Sequence, residues 1–148
     1  MSTRIMLVLL IILYVGRLSA ILFPIYLYAK TDPAGGFTAY TDGVRTFLTE
    51  IQKMLAINEL LATSLWLFSL LLYSTYILGG VMSILRRRSG RTIILYSIAA
   101  EVISQCVVTG FGRNTILGFT KNMLLCGILF FIFTRPSTIQ FYEILSPE

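Results

Sequence analysis

Two charged residues of opposite sign lie deep inside long apolar stretches of this chain, Arg17 in the first stretch and Glu101 in the third. A charged side chain near the centre of a bilayer costs at least about 2.5 kcal/mol on insertion scales. Such residues almost always face the interior of a helical bundle, where they find a partner. The sequence therefore predicts a helical membrane protein in which Arg17 and Glu101 form an intramembrane ion pair.

The composition favours the same class of protein. The chain has 148 residues, of which 56% are hydrophobic and 13% are charged, and its mean hydropathy is +0.81. Soluble domains carry about 25% charged residues, so this chain has too little polar surface to cover a water-soluble globule. We expect a single membrane domain spanning residues 1–148. The absence of histidine excludes His-ligated haem and zinc and any histidine general base, and no metal or cofactor is predicted.

Four apolar segments are long enough to cross a bilayer as helices, at residues 5–28, 58–85, 92–110 and 117–134. Between the first two lies a segment, residues 30–57, that we expect on the outer side. Its first part, from Lys30 through Gly43, has loop composition, and helical periodicity begins at Val44. We expect Pro24 to kink or end the first segment. The tail, residues 135–148, is expected to form a short helix that begins at Pro136 and Ser137.

The predicted fold is thus an all-α integral membrane protein, a four-transmembrane-helix bundle with one interfacial amphipathic helix between the first two spans. Basic residues favour the cytoplasmic side of a membrane, and the short loop between the second and third spans is dense in arginine. We therefore expect both termini in the cytoplasm and the protein in an inner or plasma membrane. Because these arginines flank apolar segments, they predict contact with anionic lipid headgroups rather than nucleic acid; they are Arg86, Arg87, Arg88 and Arg91.

Polar residues recur at helical spacing around the charged position of the third span. Ser97, Ser104 and Gln105 share a face with Glu101, and this polar stripe is expected to face the bundle interior together with Arg17. Three interpretations stay open: a buried ion pair that fixes helix register, a proton, ion or ligand site, or charges that face a partner subunit.

A second group of polar residues lies at the predicted outer ends of two spans, Asn58 and Glu59 in one and Lys121 and Asn122 in the other. They are either ordinary interfacial residues that reach water or the rim of an outer polar vestibule that leads to the stripe. No grouping of residues indicates a catalytic site.

The leading functional hypothesis is a small non-enzymatic membrane protein that acts through helix–helix association. It would be an accessory subunit of a membrane complex or a homo-oligomer, so its partners would be the bilayer and other membrane subunits or itself. The first alternative is a small ion- or proton-conducting channel or transporter that uses the stripe around Glu101. The second alternative is a membrane enzyme that acts on a lipid or a quinone.

Overall fold

The computed structural model describes residues 3–31, 35, 37–55, 57–85, 87–110 and 116–143. These residues are helical almost throughout and include no β-strand, which confirms the all-α prediction for the described part of the chain. In chain order the helices are α1 (Thr3–Thr31), α2 (Phe37–Leu55), α3 (Glu59–Ile84), α4 (Arg88–Gly110), α5 (Ile116–Thr134) and α6 (Pro136–Glu143).

The chain divides into two compact units. The first combines Met1–Tyr14 with Ser74–Glu148, and so contains the beginning of α1, the end of α3 and the helices α4 to α6. The second is Val15–Tyr73 and contains the rest of α1, all of α2 and the beginning of α3.

Two helices, α1 and α3, are long and apolar enough to cross a membrane. They have 29 and 26 residues, which at 1.5 Å per residue correspond to about 44 and 39 Å. A third crossing is obtained if Phe119–Thr134 and Pro136–Tyr142, which are bent by 58° relative to each other, are one broken span. The described residues therefore supply two or three candidate spans, and the predicted four-span bundle stays a prediction.

The first span continues through its proline. Of the two outcomes that we expected at Pro24, a kink or an end of the helix, the second is wrong, because α1 runs through Pro24 to Thr31. Proline removes one backbone hydrogen bond from a helix. In a bilayer, ending the helix there would leave several further backbone groups without partners, and each of them would cost more than the one bond that proline removes. Continuing the helix through Pro24 therefore costs less free energy than ending it there.

The amphipathic helix begins earlier than the loop composition predicts. It starts at Phe37 and includes Asp42 and Gly43. Threonine hydroxyl groups within it donate to the backbone carbonyl groups one turn earlier, from Thr41 to Thr38 at 2.7 Å and from Thr46 to Asp42 at 2.8 Å. These bonds satisfy the polar side chains inside the helix, so residues that are typical of turns do not end it.

The helix α4 also begins earlier than predicted, at Arg88 instead of Thr92. Its Gly90 lies so close to α3 that a Cβ atom there would be 2.5 Å from the Ser83 nitrogen and 2.7 Å from the Gly79 carbonyl oxygen. A Cβ on Gly79 would in turn lie 2.8 Å from Ile94 Cγ1. The glycines thus bring α3 and α4 together in a tight hairpin, in which residues of the predicted loop form the first turn of α4.

A third glycine permits a close approach between α3 and α1. A Cβ atom on Gly80 would lie 2.7 Å from Ile11 Cγ1. Together with the α3–α4 hairpin, this contact shows that small residues near the end of α3 let neighbouring helices approach closely.

Candidate functional site

The clearest polar contact in the core of the first unit joins α1 to α4. The Tyr14 hydroxyl donates a hydrogen bond of 2.8 Å to Glu101 Oε2. Tyr14 is 0% exposed and Glu101 is 2% exposed, so this carboxyl group is removed from solvent and lipid alike. A hydrogen bond inside a protein contributes about 0.5–1.5 kcal/mol to stability, so the contact stabilises the packing of α1 against α4.

Tyr76 brings α3 into the same cluster. Its ring stacks on the Tyr14 ring, with centroids 3.8 Å apart and planes at 10°. The Tyr76 side chain is fully buried, and its hydroxyl has no hydrogen bond of normal geometry among the described residues. It nevertheless interacts electrostatically with Tyr14 and Glu101. We call Tyr14, Tyr76 and Glu101 the phenol–carboxyl cluster.

One turn along α4 from Glu101, a pair of hydroxyl groups links α4 to α3. Thr75 Oγ1 and Ser97 Oγ are 2.9 Å apart, and Ser97 also donates to the Ile93 carbonyl at 2.9 Å. Interhelical hydrogen bonds of this kind contribute about 0.6–2 kcal/mol within membranes. Polar contacts therefore join α4 to both of the other helices at neighbouring levels.

The cluster forms because α4 has two different faces. Its outward side chains are apolar, with Tyr96 74%, Ile103 64% and Val107 46% exposed. Its inward positions recur at helical spacing and include the two buried polar residues of α4; they are Gly90, Ile94, Ser97, Ile98 and Glu101. Ser97 and Glu101 therefore face the packed interior of the unit, beside the apolar Ile94 and Ile98.

The structure places two of the predicted stripe residues, Ser97 and Glu101, in the core, whereas Ser104 and Gln105 are half-buried. The half-buried Arg17 belongs to the second unit, where its guanidinium carbon lies 5.8 Å from the centroid of the Tyr73 ring. That distance is within the range of a cation–π interaction. Arg17 and Glu101 fall in different units, and their ion pair stays a prediction.

The predicted outer rim contains a helix cap. Asn58 Oδ1 accepts a 2.8 Å hydrogen bond from the Leu61 backbone nitrogen, which is the standard role of an N-cap residue. Glu59 follows in the first turn of α3, where an acidic side chain interacts favourably with the helix dipole. Glu59 and Lys121 are exposed and Asn122 is half-buried. A polar vestibule formed by these residues stays a prediction.

The arginine cluster divides into residues with different surroundings. Arg86 lies outside the described residues, as does the side chain of Arg88, and Arg87 is exposed. Arg91 is half-buried, and its Nε donates a 2.9 Å hydrogen bond to the Phe133 carbonyl oxygen near the end of α5. A cation at a helix C-terminus satisfies a free carbonyl group and complements the helix dipole, so Arg91 caps α5.

Sequence reasoning missed Tyr14, Tyr76 and Thr75. In the sequence, a tyrosine within an apolar run resembles a lipid-facing residue. When its phenol hydroxyl is buried, however, it needs a hydrogen-bond partner. Tyr14 lies eleven residues after the start of α1 and Glu101 thirteen after the start of α4, about 16 and 20 Å along the two helices. The similar positions of Tyr14 and Glu101 along their helices were therefore the clue to their contact.

The chemistry that this arrangement permits is limited. Among the described residues, no group of three or more Cys, Asp or Glu side chains could hold a metal ion. Comparisons of the chain with known protein families, curated proteins and solved structures find no match. A single buried carboxyl group beside two phenols can fix the register of the helices or carry a proton. Because no known protein matches, the arguments for function come from the geometry of the chain itself.

Proposed function

We propose that this chain is a small four-span integral membrane protein that acts, without catalysis, through association of its helices with a further helix in the membrane. The assembly is a homo-oligomer, or the chain is an accessory subunit of a larger membrane complex. One observation carries the proposal: Gly16, in the middle of α1, is exposed beside the small residues Ser19 and Ala20, and no described residue comes within 4 Å of the place where its Cβ atom would lie.

The glycines inside the first unit explain why this observation matters. Gly79, Gly80 and Gly90 each lie so close to a neighbouring helix that an added Cβ atom would come within 2.8, 2.7 and 2.5 Å of it, respectively. A glycine inside a helix costs roughly 0.5–1 kcal/mol relative to alanine, and close packing offsets that cost. Gly16 has the cost without the packing, and so does Gly127 in α5. What distinguishes Gly16 is that small residues surround it on α1, so a helix from outside the chain can approach it closely.

The residues beside Gly16 make a surface that suits another helix. Gly16 and Ala20 are four residues apart and lie on one face with Ser19, and all three are exposed. Small residues at this spacing let two membrane helices approach closely. Phe23, which is 57% exposed, lies one turn further along the same face and offers apolar contact area to the partner helix. We call Gly16, Ser19, Ala20 and Phe23 the small-residue face.

The outward face of α4 supports the proposed third crossing. Tyr96, Ile103 and Val107 point away from the core and are apolar, whereas Ser97 and Glu101 point inward. Such a helix is unfavourable in water and favourable in lipid, because only lipid matches its outer surface. The bent pair of α5 and α6 would provide the fourth crossing and the start of the tail.

The arginines of the α3–α4 hairpin support the proposed orientation, with both termini in the cytoplasm of a plasma or inner membrane. A membrane-impermeant maleimide tests this placement in a variant that carries Arg87→Cys and lacks the native cysteines. We expect labelling only after the membrane is opened. Labelling of intact cells from outside would contradict the orientation.

Subunit counting in liposomes tests the association. We expect the wild-type chain to form dimers or larger assemblies, and Gly16→Ile to weaken them by tenfold or more, which corresponds to about 1.4 kcal/mol. The matched control is Gly127→Ile, which places the same side chain at an exposed glycine of α5 that also has open space around it.

Two results would contradict the proposal. Equal effects of the two substitutions would show that the small-residue face of α1 is not the interface. A chain that stays monomeric in lipid and co-purifies with no other membrane protein would exclude both forms of the association. Assembly of the purified chain alone would favour a homo-oligomer over an accessory subunit.

A second candidate function is conduction of a proton or another ion, and the phenol–carboxyl cluster favours it. Glu101 is buried beside two phenols: Tyr14 donates a hydrogen bond to it, and Tyr76 stacks on Tyr14. Ion or proton flux into liposomes tests this function, with Glu101→Gln as the variant and the exposed Glu59→Gln as its control. The candidate fails if the wild-type chain gives no flux, or if flux is unchanged in Glu101→Gln.

A further inference from the structure

We propose that α2 docks on the surface of the bilayer by inserting Phe37 and Tyr40 between the lipids, so that its docking responds to how tightly the lipids are packed and not to the charge of their headgroups. The sequence predicts an interfacial helix here, and the structure adds which side chains insert and which kind of surface accepts them. The docking goes beyond the proposed association, which uses a face of α1. It rests on α1 and α3 crossing the membrane, and the residues that carry it all belong to the second unit.

The first argument is the position of α2 between two candidate spans. It begins six residues after the end of α1 at Thr31 and ends four residues before the start of α3 at Glu59. A chain extends by at most about 3.6 Å per residue, so the two connections reach no further than about 22 and 14 Å. At about 44 and 39 Å, α1 and α3 are longer than the hydrocarbon core of about 30 Å, so their adjoining ends extend into the headgroup layer. Both ends of α2 are therefore held close to the membrane surface.

The second argument is the exposed aromatic end of α2. Phe37 is 82% exposed, more than any other large apolar side chain that the structure describes, and Tyr40, three residues later on the same face, is 49% exposed. Further along this face the apolar side chains are half-buried or better covered; they include Val44, Phe47, Leu48 and Ile51. Exposed Tyr26, five residues before the end of α1, places another aromatic side chain near the same level. The bilayer interface favours such aromatic side chains, whereas water does not.

The third argument is the balance of charge on the opposite face. The helix carries two acidic and two basic side chains, all of them exposed, so its net charge is zero; they are Asp42, Arg45, Glu50 and Lys53. Each acidic residue lies three positions before a basic one, where opposite charges are neighbours on the helix surface. Attraction to anionic lipid needs an excess of Lys and Arg. Because α2 has no such excess, its polar face gives it no preference for a charged membrane surface.

The threonines of the polar face add little attraction to the headgroups. Thr41, Thr46 and Thr49 are exposed, and each donates its hydroxyl hydrogen to a backbone carbonyl one turn earlier in α2, at 2.7, 2.8 and 2.8 Å. These donors are therefore already used within the helix. With balanced charges and satisfied hydroxyl donors, insertion of Phe37 and Tyr40 supplies the attraction to the bilayer. Insertion needs gaps between neighbouring lipids, so docking is stronger where the lipids are loosely packed.

Tryptophan fluorescence of the full chain in vesicles tests the docking. Trp66 is the only tryptophan of the chain, so Trp66→Phe gives a silent background in which Phe37→Trp or Tyr40→Trp adds a reporter on the inserted face. The matched control is Thr49→Trp, which adds the reporter to the exposed polar face of the same helix. The vesicles are dioleoyl phosphatidylcholine with a fixed fraction of phosphatidylcholine brominated near the headgroup end of its acyl chains, which quenches tryptophan at that depth. We expect Phe37→Trp and Tyr40→Trp to be quenched about threefold more strongly than Thr49→Trp.

The lipid composition tests what the docking responds to. Replacing half of the unbrominated lipid by dioleoyl phosphatidylglycerol should leave the quenching of Phe37→Trp unchanged, whereas cholesterol, which reduces the gaps between lipids, should lower it by about half. Circular dichroism establishes that each variant is folded, and Tyr40→Trp keeps the test valid if Phe37→Trp is not.

Three results would overturn the proposal or one of its parts. Equal quenching of the reporters on the two faces would overturn the insertion. Stronger quenching of Phe37→Trp with dioleoyl phosphatidylglycerol would overturn the independence of headgroup charge. Unchanged quenching with cholesterol would overturn the response to lipid packing.

Discussion

Replacing Gly90 with alanine should force α3 and α4 apart. The added Cβ atom would lie 2.5 Å from both the nitrogen and the Oγ of Ser83, and 2.7 Å from the Gly79 carbonyl oxygen. Two of these three atoms belong to the backbone and cannot turn away as a flexible side chain would. The substitution therefore tests whether the hairpin is held at the short distance that the structure shows.

The size of the effect follows from the same distances. Raising the contact with the Ser83 nitrogen from 2.5 Å to the 3.4 Å of ordinary van der Waals contact requires a local separation of about 0.9 Å. Overpacking of this kind costs about 1–3 kcal/mol, while alanine gains roughly 0.5–1 kcal/mol over glycine within a helix. We therefore expect Gly90→Ala to lower the free energy of unfolding by up to about 2.5 kcal/mol.

The assay is unfolding of the purified chain in mixed micelles of increasing denaturing-detergent fraction, followed by helical circular dichroism. Gly127→Ala is the control, because a Cβ atom there has nothing within 4 Å. Both variants gain the same helix propensity, so the difference between them isolates the overpacking cost, about 1–3 kcal/mol. If Gly90→Ala is as stable as Gly127→Ala, the close approach of α3 and α4 is refuted.

Two further predictions use the same unfolding assay. Tyr14→Phe removes the donor to Glu101 and should lower the free energy of unfolding by about 1–3 kcal/mol. Tyr76→Phe removes a hydroxyl that has no hydrogen bond of normal geometry and should change the free energy of unfolding by less than about 0.5 kcal/mol. Equal losses in the two variants would contradict the hydrogen bond between Tyr14 and Glu101. Asn58→Ala removes the cap on the Leu61 nitrogen and should cost about 1 kcal/mol, whereas Asn58→Asp keeps an acceptor there and should cost much less; similar losses in both variants would exclude the cap.

The long helices were predictable because an apolar run of sufficient length has no other stable form in a bilayer. The predicted second segment, residues 58–85, differs by one residue at each end from α3, Glu59–Ile84. The beginnings of α2 and α4 were not predictable in the same way. Glycine, threonine and aspartate indicate turns in water, but at Gly90 the glycine serves the approach of a neighbouring helix instead.

The candidate site was only half predictable. A carboxyl group in an apolar segment stands out, so Glu101 was identified from its position alone. Tyr14 and Tyr76 were missed, because their contact depends on the rotation of three helices about their own axes. The same limit applies to the glycines, since the sequence shows Gly16 and Gly79 as equivalent small residues. Only the neighbours within 4 Å distinguish a glycine packed inside the chain from one that faces outward.

The forces that hold this chain together also indicate what it would bind. Apolar contact does not draw helices together in lipid as it does in water, so membrane helices associate through close packing of small residues and through hydrogen bonds. The helix α3 follows this rule with Gly79 and Ser83, four residues apart, against α4. The helix α1 repeats the spacing with Gly16 and Ala20 on an exposed face. A partner helix would dock there by the same packing that already joins α3 to α4, which is why we propose α1 as the interface.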